Sequence, residues 1–433
     1  LTPAGTAGLR LRADPRTPSA AQAAVDAANR RGRQDAVAVG DALFPGLDLG
    51  RLAQQTDDAS LDASTDPIAL PPWLDGVALL DRLLGQHELG GDRLKVMHEG
   101  DARTTDALLH HVHGDHPVDV AAAAAVAATF DAGNTVVLDA IDRRDRGVAR
   151  LAETFGRIFA CPININGYVS YRPRQAFGTH WDNHEVLILQ LLGTKRWAVH
   201  RPLTLSPSRH LQDQHAGGEV LWDGLLTPGS FLSIPRGWAH TVESRHELSF
   251  HLTVTIPRLS VIDLLEWSVR RLDPAPASLR VRDATRPPSP DDVAAAEDLL
   301  RTATDPDALR RAVTIARANL AGPVPQSPRR LAAVLRRGDL ASQRVRAPHP
   351  GGVHVADSKD GTTHLVFAGR AVACDDETVG RLAPLLDGRP HTAHEVAPAA
   401  GPDASPSGAD LVAAALRVGL LDLADPDPWA GTA

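Results

Sequence analysis

The stretch FGTHWDNHEVLILQLLGTKRWAVH, Phe177 to His200, decides how the chain is read. His180 and Asp182 stand two residues apart. In an extended segment such residues share a face, so an imidazole and a carboxylate converge on one point. The apolar run EVLILQLL follows, with the length of a buried strand. Lys195 sits on the turn after it. The stretch is either a metal site with a substrate anchor or an ordinary buried strand with polar residues at its mouth.

A metal site needs a third ligand from elsewhere. The segment GSFLSIPRGWAHTVES offers His240, where an extended run follows a Pro-Arg-Gly turn. Two histidines and one carboxylate on one face of a metal leave positions open, an arrangement that suits non-haem Fe(II) and oxygen activation. A lysine at the end of an apolar strand is commonly a solvated hairpin residue. Beside a metal it would supply the fixed positive charge that the distal carboxylate of an α-keto diacid needs. His184 enters the apolar run four residues after His180 and reads as a pocket or packing residue. Trp181, Trp197 and Trp238 read as packing and shielding groups.

Outward from this stretch, short apolar runs alternate with Gly and Pro turns from Cys161 to Pro257: NINGYVSY, EVLILQLLG, RWAVHRP, GSFLSIPRG and ELSFHLTVTIP. That texture predicts a β sandwich or barrel. Helices are predicted around it. PPWLDGVALLDRLLGQHELG places Leu79, Leu80, Leu83 and Leu84 at helical spacing before Gly85. VDVAAAAAVAATF reads as a helix leading through a Gly-Asn turn to a strand over Thr135 to Ile141. GVARLAETFGRIFA puts Val148, Leu151, Phe155 and Ile158 on one stripe. Residues 1–70 are rich in Ala, Asp, Thr and Pro and read as a weakly structured arm. Beyond Pro257, Leu259 to Leu272 and Ala308 to Leu320 are amphipathic. Residues 347–433 then read strand, strand, helix, turn, helix, the order of a small winged-helix-like domain. The expected domains are therefore 1–70, 71–257, 258–346 and 347–433.

The bulk numbers agree with this division. A chain of 433 residues is too long for one core. Its 43% hydrophobic and 23% charged content is that of a globular protein. A net charge of −8 disfavours nucleic acid as a partner for the whole chain and suits a basic one. Two cysteines far apart exclude a disulfide framework and fit a reducing cytoplasm. There is no apolar run long enough to span a membrane. LTPAGTAGLRLRADPRTP lacks the apolar centre of a secretory signal, and the numbering opens on Leu1, so the native start is expected upstream.

NINGYVSYRPRQAFGTHWDNHEVLILQLLGTKRWAVHRP, followed by LTPGSFLSIPRGWAHTVES, resembles the JmjC-type cupin oxygenases, and within them the ribosomal oxygenases. The resemblance covers residues 130–257. It implies an α+β architecture: a double-stranded β-helix with flanking helices, followed by a helical dimerisation region and the winged-helix-like domain. It implies that His180, Asp182 and His240 bind Fe(II). Lys195, fifteen residues after His180, falls where the family places its anchor for 2-oxoglutarate. Tyr168 and Asn166 match positions near that co-substrate, and Ser249, His251 and Thr253 lie on the closing strand of the pocket. The activity implied is hydroxylation of a protein or peptide side chain with O2, releasing succinate and CO2. The partners implied are a basic or ribosomal substrate and a second copy of the chain.

Other readings compete. HHVHGDH, His110 to His116, resembles the metal motif of metallo-β-lactamase-type hydrolases, but TTDALLHHV before it reads as helical, which makes it a solvated helix end. The resemblance also leaves open a hydroxylase of a small molecule or of a ribosomally made peptide product. A non-catalytic cupin with a winged-helix binding domain is the reading from another class.

Overall fold

The chain, seen here as a computed structural model, is described over residues 2–4, 10–11, 19–54, 61–85, 93–98, 101–103, 108–113, 116–121, 123–173, 177–202, 218–245, 247–257, 260, 262–266, 289–306, 309, 313, 343–349, 351–358, 361–396 and 406–424. Two compact units emerge. One comprises Ala36–Phe159, Ile163–Arg258 and Pro426–Ala433. The other comprises Leu1–Asp35, Ala160–Pro162 and Leu259–Asp425.

The first unit carries the strands β1 (Asp62–Ser64), β2 (Leu94–His98), β3 (Asp101–Ala102), β4 (Leu108–His113), β5 (His116–Ala121), β6 (Thr135–Leu138) and β7 (Asn164–Ser170). It continues with β8 (Glu185–Leu192), β9 (Lys195–His200), β10 (Val220–Leu226), β11 (Phe231–Ile234), β12 (His240–Ser244) and β13 (Ser249–Ile256). Eight of them form one antiparallel sheet in the order β1-β11-β8-β13-β7-β6-β2-β3. A smaller antiparallel sheet has the order β10-β9-β12, and β4 and β5 form a separate hairpin.

Strand parity sorts the large sheet into two faces. On β13, Phe250, Leu252, Val254 and Ile256 alternate with Ser249, His251, Thr253 and Thr255. The register pairs Ser249 with Ser170, His251 with Tyr168 and Thr253 with Asn166, so the polar positions of β7 and β13 share one face. Val136, Leu138, Ile165, Val169, Phe250, Leu252 and Val254 on the opposite face are all buried. Each such side chain contributes about 1.5–3 kcal/mol when removed from water. The polar face is the one that meets the small sheet. Between the sheets Val186, Ile188, Trp197, Val199, Leu226, Leu232, Ile234 and Trp238 form an apolar cluster.

Helices α3 and α5 of this unit follow the predicted stripes, whereas the helix expected over VDVAAAAAVAATF begins only at Ala123, because Val118 to Ala121 belong to strand β5. Helix α1 (Ala20–Leu43) begins in the other unit, and α2 (Leu49–Gln54), α3 (Gly76–Leu84), α4 (Ala123–Asp131) and α5 (Arg146–Phe159) follow. Asp145 caps α5 by accepting the Val148 N–H (3.1 Å), and Val148, Leu151, Phe155 and Ile158 are all buried. Gly85 closes α3 with its N–H on the Asp81 carbonyl.

Three further expectations need correction. The arm over 1–70 contains the 24-residue helix α1. Its small residues Ala21 and Ala28, with Val25, are enough because they let the helix approach the core of the second unit closely. Asn29 pins it there, donating to the Val353 carbonyl (2.8 Å) and accepting the Val353 N–H (3.3 Å). HHVHGDH is not a helix end. It spans the hairpin β4–β5, with His113 opposite His116, and its side chains lie outside the described residues. The strand expected over Thr135 to Ile141 stops at Leu138, because Ala140 takes a left-handed φ of 51° and turns the chain into the short helical turn Ile141–Arg143.

The second unit has a five-stranded sheet built from Thr2–Ala4, Arg10–Leu11, His354–Asp357, Thr363–Phe367 and Arg370–Cys374. In a smaller sheet Arg344–Arg346 runs between His391–Thr392 and Asp422–Leu423. Helices Asp376–Leu382 and Gly408–Val418 begin with side-chain caps from Asp375 and Ser407. Helix Pro290–Ala303, inside the region expected to be helical but not delimited there, starts at a capping box formed by Ser289 and Asp292. The helices predicted over 259–272 and 308–320 lie mostly outside the described residues. Among the described residues no helix is long and apolar enough to cross a membrane.

Two outcomes follow. Gly193, in the link between β8 and β9, has φ 59°, and an added Cβ would come within 2.2 Å of the Leu248 carbonyl oxygen. Gly193→Ala is expected to cost about 1–3 kcal/mol, read as a lowered Tm. In the second unit, His391 lies between Asp387 (2.7 Å) and Glu395 (2.6 Å). The hydrogen bond to Asp387 raises its pKa against the opposing effect of burial, with Glu395 adding to the rise. A raised imidazole pKa gives stability that is complete below the unfolded value and is lost as pH rises through the folded one. His391→Gln should therefore lower the Tm at pH 6 and change it much less at pH 9.

Candidate metal and dicarboxylate site

His180 lies in the link between β7 and β8, ahead of the buried strand, and His240 opens β12. The two backbones form an isolated bridge: the His180 N–H donates to the His240 carbonyl (3.1 Å), and the His240 N–H to the His180 carbonyl (2.8 Å). The Gly237 N–H donates to the Asp182 carbonyl (2.9 Å), so the Pro-Arg-Gly turn is tied to the same segment. This pairing brings together residues sixty positions apart in the chain. One ligand atom each from His180, Asp182 and His240 lies within 4.8 Å of the others.

Both imidazoles are oriented alike. Nδ1 of His180 faces the Gly178 carbonyl (3.2 Å), and Nδ1 of His240 faces the Trp238 carbonyl (3.2 Å). Assigning the proton to Nδ1 leaves each Nε2 lone pair for a cation. Burial, and then the neighbouring His180, bring the pKa of His240 down to about 4, so it is neutral at neutral pH. The 3.8 Å approach of His240 Nε2 to Asp182 Oδ2 is therefore two ligands side by side and not an ion pair. Two imidazole nitrogens and one carboxylate fit a divalent first-row metal.

The three donors line a cavity of about 200 Å³. Large-sheet residues Thr135, Tyr168, Ser170, His251 and Thr253 face small-sheet residues Lys195, Trp197 and Ser244 across it. Lys195 is 1% exposed. Its Nζ donates to the Tyr168 carbonyl (3.1 Å) and to His251 Nδ1 (2.9 Å). Neither partner carries a negative charge. Burial alone brings the pKa of Lys195 down to about 7. The His251 ring stacks on Tyr168 (centroids 4.9 Å, 6°), and Trp197 stands edge-on to it (5.3 Å) and stacked on His240 (5.9 Å). Trp197 Nε1 is buried with no hydrogen-bond partner among the described residues. The cavity thus joins three metal donors to a buried cation and an unused N–H donor.

The sequence-predicted residues divide into three groups. His180, Asp182, His240, Lys195, Tyr168, His251 and Thr253 line one cavity. Ser249 is buried behind it and donates to the Ser170 carbonyl (3.3 Å). Asn166 lines a neighbouring polar cleft, where its Oδ1 accepts from the Ala140 N–H and from Asn164 Nδ2, each at 2.9 Å. His184 stays outside the three-donor cluster. The contact of His251 with Lys195 was not read from sequence, because it joins two strands of different sheets. Thr135, Ser170 and Ser244 were also missed, although the alternation of β7 marks Ser170.

Fold and site together are those of a cupin-type domain with a candidate metal centre. Residues 137–264 match the JmjC domain family. The chain is 32% identical over 119 residues to the bifunctional lysine-specific demethylase and histidyl-hydroxylase NO66 of Drosophila willistoni, covering 25% of this chain and 15% of that protein. It is 32% identical over 108 residues to ribosomal oxygenase 2 of Mus musculus, covering 25% of this chain and 23% of that protein. Among solved structures, E. coli YcfD shares the fold with a TM-score of 0.50 and 17% identity, over 86% of this chain and 97% of that one. The chain spans less than a quarter of the length of these curated relatives. Residues 137–264 are a JmjC domain, homologous to those of NO66 and the ribosomal oxygenases.

A dicarboxylate next to Lys195 would favour the ammonium form, so binding above pH 7 takes up a proton. The affinity for 2-oxoglutarate should be level below pH 7 and fall by up to about tenfold per pH unit above it. Anaerobic titration calorimetry of the Mn(II)-loaded chain in buffers of differing ionisation enthalpy checks this. Lys195→Met should weaken binding by about 10- to 100-fold and abolish the pH slope.

Proposed function

We propose that this chain is an Fe(II)- and 2-oxoglutarate-dependent oxygenase that hydroxylates an amino-acid side chain of a protein or peptide. One observation carries the reading: a three-donor cluster and a buried lysine with no carboxylate partner among the described residues line a single cavity inside a JmjC domain. His180, Asp182 and His240 would hold the metal on one face. Lys195 binds the distal carboxylate of the co-substrate and exchanges its contacts with Tyr168 and His251 for an ionic one. Trp197 offers its N–H to the same ligand, and Thr253 and Tyr168 bound the space beside it. When bound, iron with 2-oxoglutarate and O2 supplies the oxidising power that turns a C–H into C–OH, with release of succinate and CO2. The chain's own task is to orient, to keep water out and to hold the charges fixed.

The domain relatives are named as a histidyl-hydroxylase and a ribosomal oxygenase, which supports a protein substrate. The net charge of −8 supports a basic one, ribosomal proteins included. With this reading go a cytoplasmic location, a dimerisation region over 258–346 and a winged-helix-like domain over 347–433. The strand, strand, helix order of Thr363–Phe367, Arg370–Cys374 and Asp376–Leu382 supports the last.

The test is succinate release. With Fe(II), 2-oxoglutarate and a lysate fraction, the chain should release succinate and leave peptides heavier by one oxygen in mass spectrometry. His180→Ala or Asp182→Ala should lower succinate release by at least about 100-fold. Absence of turnover with metal demonstrably bound would favour the non-catalytic cupin.

A further inference from the structure

A second cleft, of about 350 Å³ and open to solvent, lies beside the metal cavity. Arg93, Lys95, Asp139, Ala140, Arg143, Asn164 and Asn166 line it. The cleft continues the face that carries the reaction site. Asn164, Asn166 and Tyr168 alternate along β7, and the register sets Tyr168 opposite Val137 and Lys95 opposite Val137 in turn. The Tyr168 hydroxyl is hydrogen-bonded to Asn166, and both Asp182 and Asp139 stand near enough to oppose its ionisation. Tyr168 is thus the partition between the metal cavity and this cleft.

The walls of the cleft are fixed by backbone geometry. Ala140, at φ 51°, gives its N–H to Asn166 Oδ1 and turns the chain out of β6 into Ile141–Arg143. A non-glycine residue held in this region stores strain that the surroundings must hold in place. The clamp places Asp139 and Arg143 on the same rim. Three cationic side chains, Arg93, Lys95 and Arg143, stand against two carboxylates, Asp139 on the lining and Asp142 beneath the rim. Asp139 is paired with Lys95. Asp142 beneath the rim accepts the Ile165 N–H (3.0 Å) and lies near Arg93 and Arg143. The cationic character runs against the net charge of −8 and so is local to the cleft.

We propose that this cleft binds an acidic side chain of the peptide substrate, next in sequence to the residue that enters the metal cavity. The proposal rests on the oxygenase reading for the role of the neighbouring cavity. Arg93 and Arg143 present planar forks that match a carboxylate. Asn164 and Asn166 present amide donors and acceptors that match a peptide group. A substrate protein can still be basic overall. Long-range charge then attracts the partner, and the cleft selects a site that has an acidic neighbour.

Fluorescence anisotropy with labelled octaglutamate, octaglutamine and octalysine, on the full chain loaded with Mn(II) and 2-oxoglutarate, tests the proposal. Octaglutamate should bind at least about tenfold tighter than octaglutamine. The double variant Arg93→Gln, Arg143→Gln should lose that preference, and Arg93→Lys, Arg143→Lys should keep most of it. Equal binding of octaglutamate and octaglutamine, tighter binding of octalysine, or a preference unchanged in the glutamine variant would overturn it. The lysine variant guards against misfolding as the cause of the loss. Succinate release by the unaltered chain is measured alongside. Its absence would count against the oxygenase reading and leave the anisotropy result standing.

Discussion

The site depends on one buried cation. Among the described residues, Lys195 is held between two sheets with only a carbonyl and a neutral imidazole as partners. Burial of an ammonium without a counter-ion opposes its charged form, which is why its pKa falls to about 7. A protein selected for stability alone would place an apolar residue here. The position makes sense when an anion completes it. The three-donor cluster lines the same cavity, so a ligand that reaches both must carry a carboxylate at one end and metal-binding oxygens at the other.

Strand parity makes that geometry possible. β7 and β13 turn their polar residues to the face that carries the cavity and their apolar residues to the opposite, buried face. Residues Lys195, Trp197 and Val199 share a face of β9, and the register sets Val199 opposite His240. A one-residue slip of β9 against β12 would turn the lysine outward and separate it from the metal donors. The β-bridge between His180 and His240 fixes the other side of the cavity through backbone hydrogen bonds, which side-chain substitutions leave in place.

Much of this was legible in the sequence, for particular reasons. The pair His180 and Asp182 follows from the period of a strand, and His240 from its Pro-Arg-Gly turn. The stripe Val148, Leu151, Phe155 and Ile158 names its own helix. Strand β10 was not legible, because VLWDGLL leaves Val220, Leu221 and Leu225 exposed. HHVHGDH was misread because leucine and histidine runs fit either period. The Gly114-Asp115 dipeptide between the strands was the hairpin signal. The contact of Lys195 with His251, and the polar cleft beyond Tyr168, depend on register between distant strands, which no local pattern encodes. Helix α1 was underrated because its stripe is mostly alanine, and only tertiary packing makes such a stripe sufficient.

The central claim is that one ligand bridges the metal donors and Lys195. A crystal structure of the chain prepared without oxygen, with Mn(II) and 2-oxoglutarate, tests it most directly. The account predicts a metal on His180, Asp182 and His240, with the distal carboxylate of 2-oxoglutarate on Lys195 Nζ. A metal bound elsewhere, or a Lys195 that keeps only Tyr168 and His251 while 2-oxoglutarate lies outside the cavity, would contradict it.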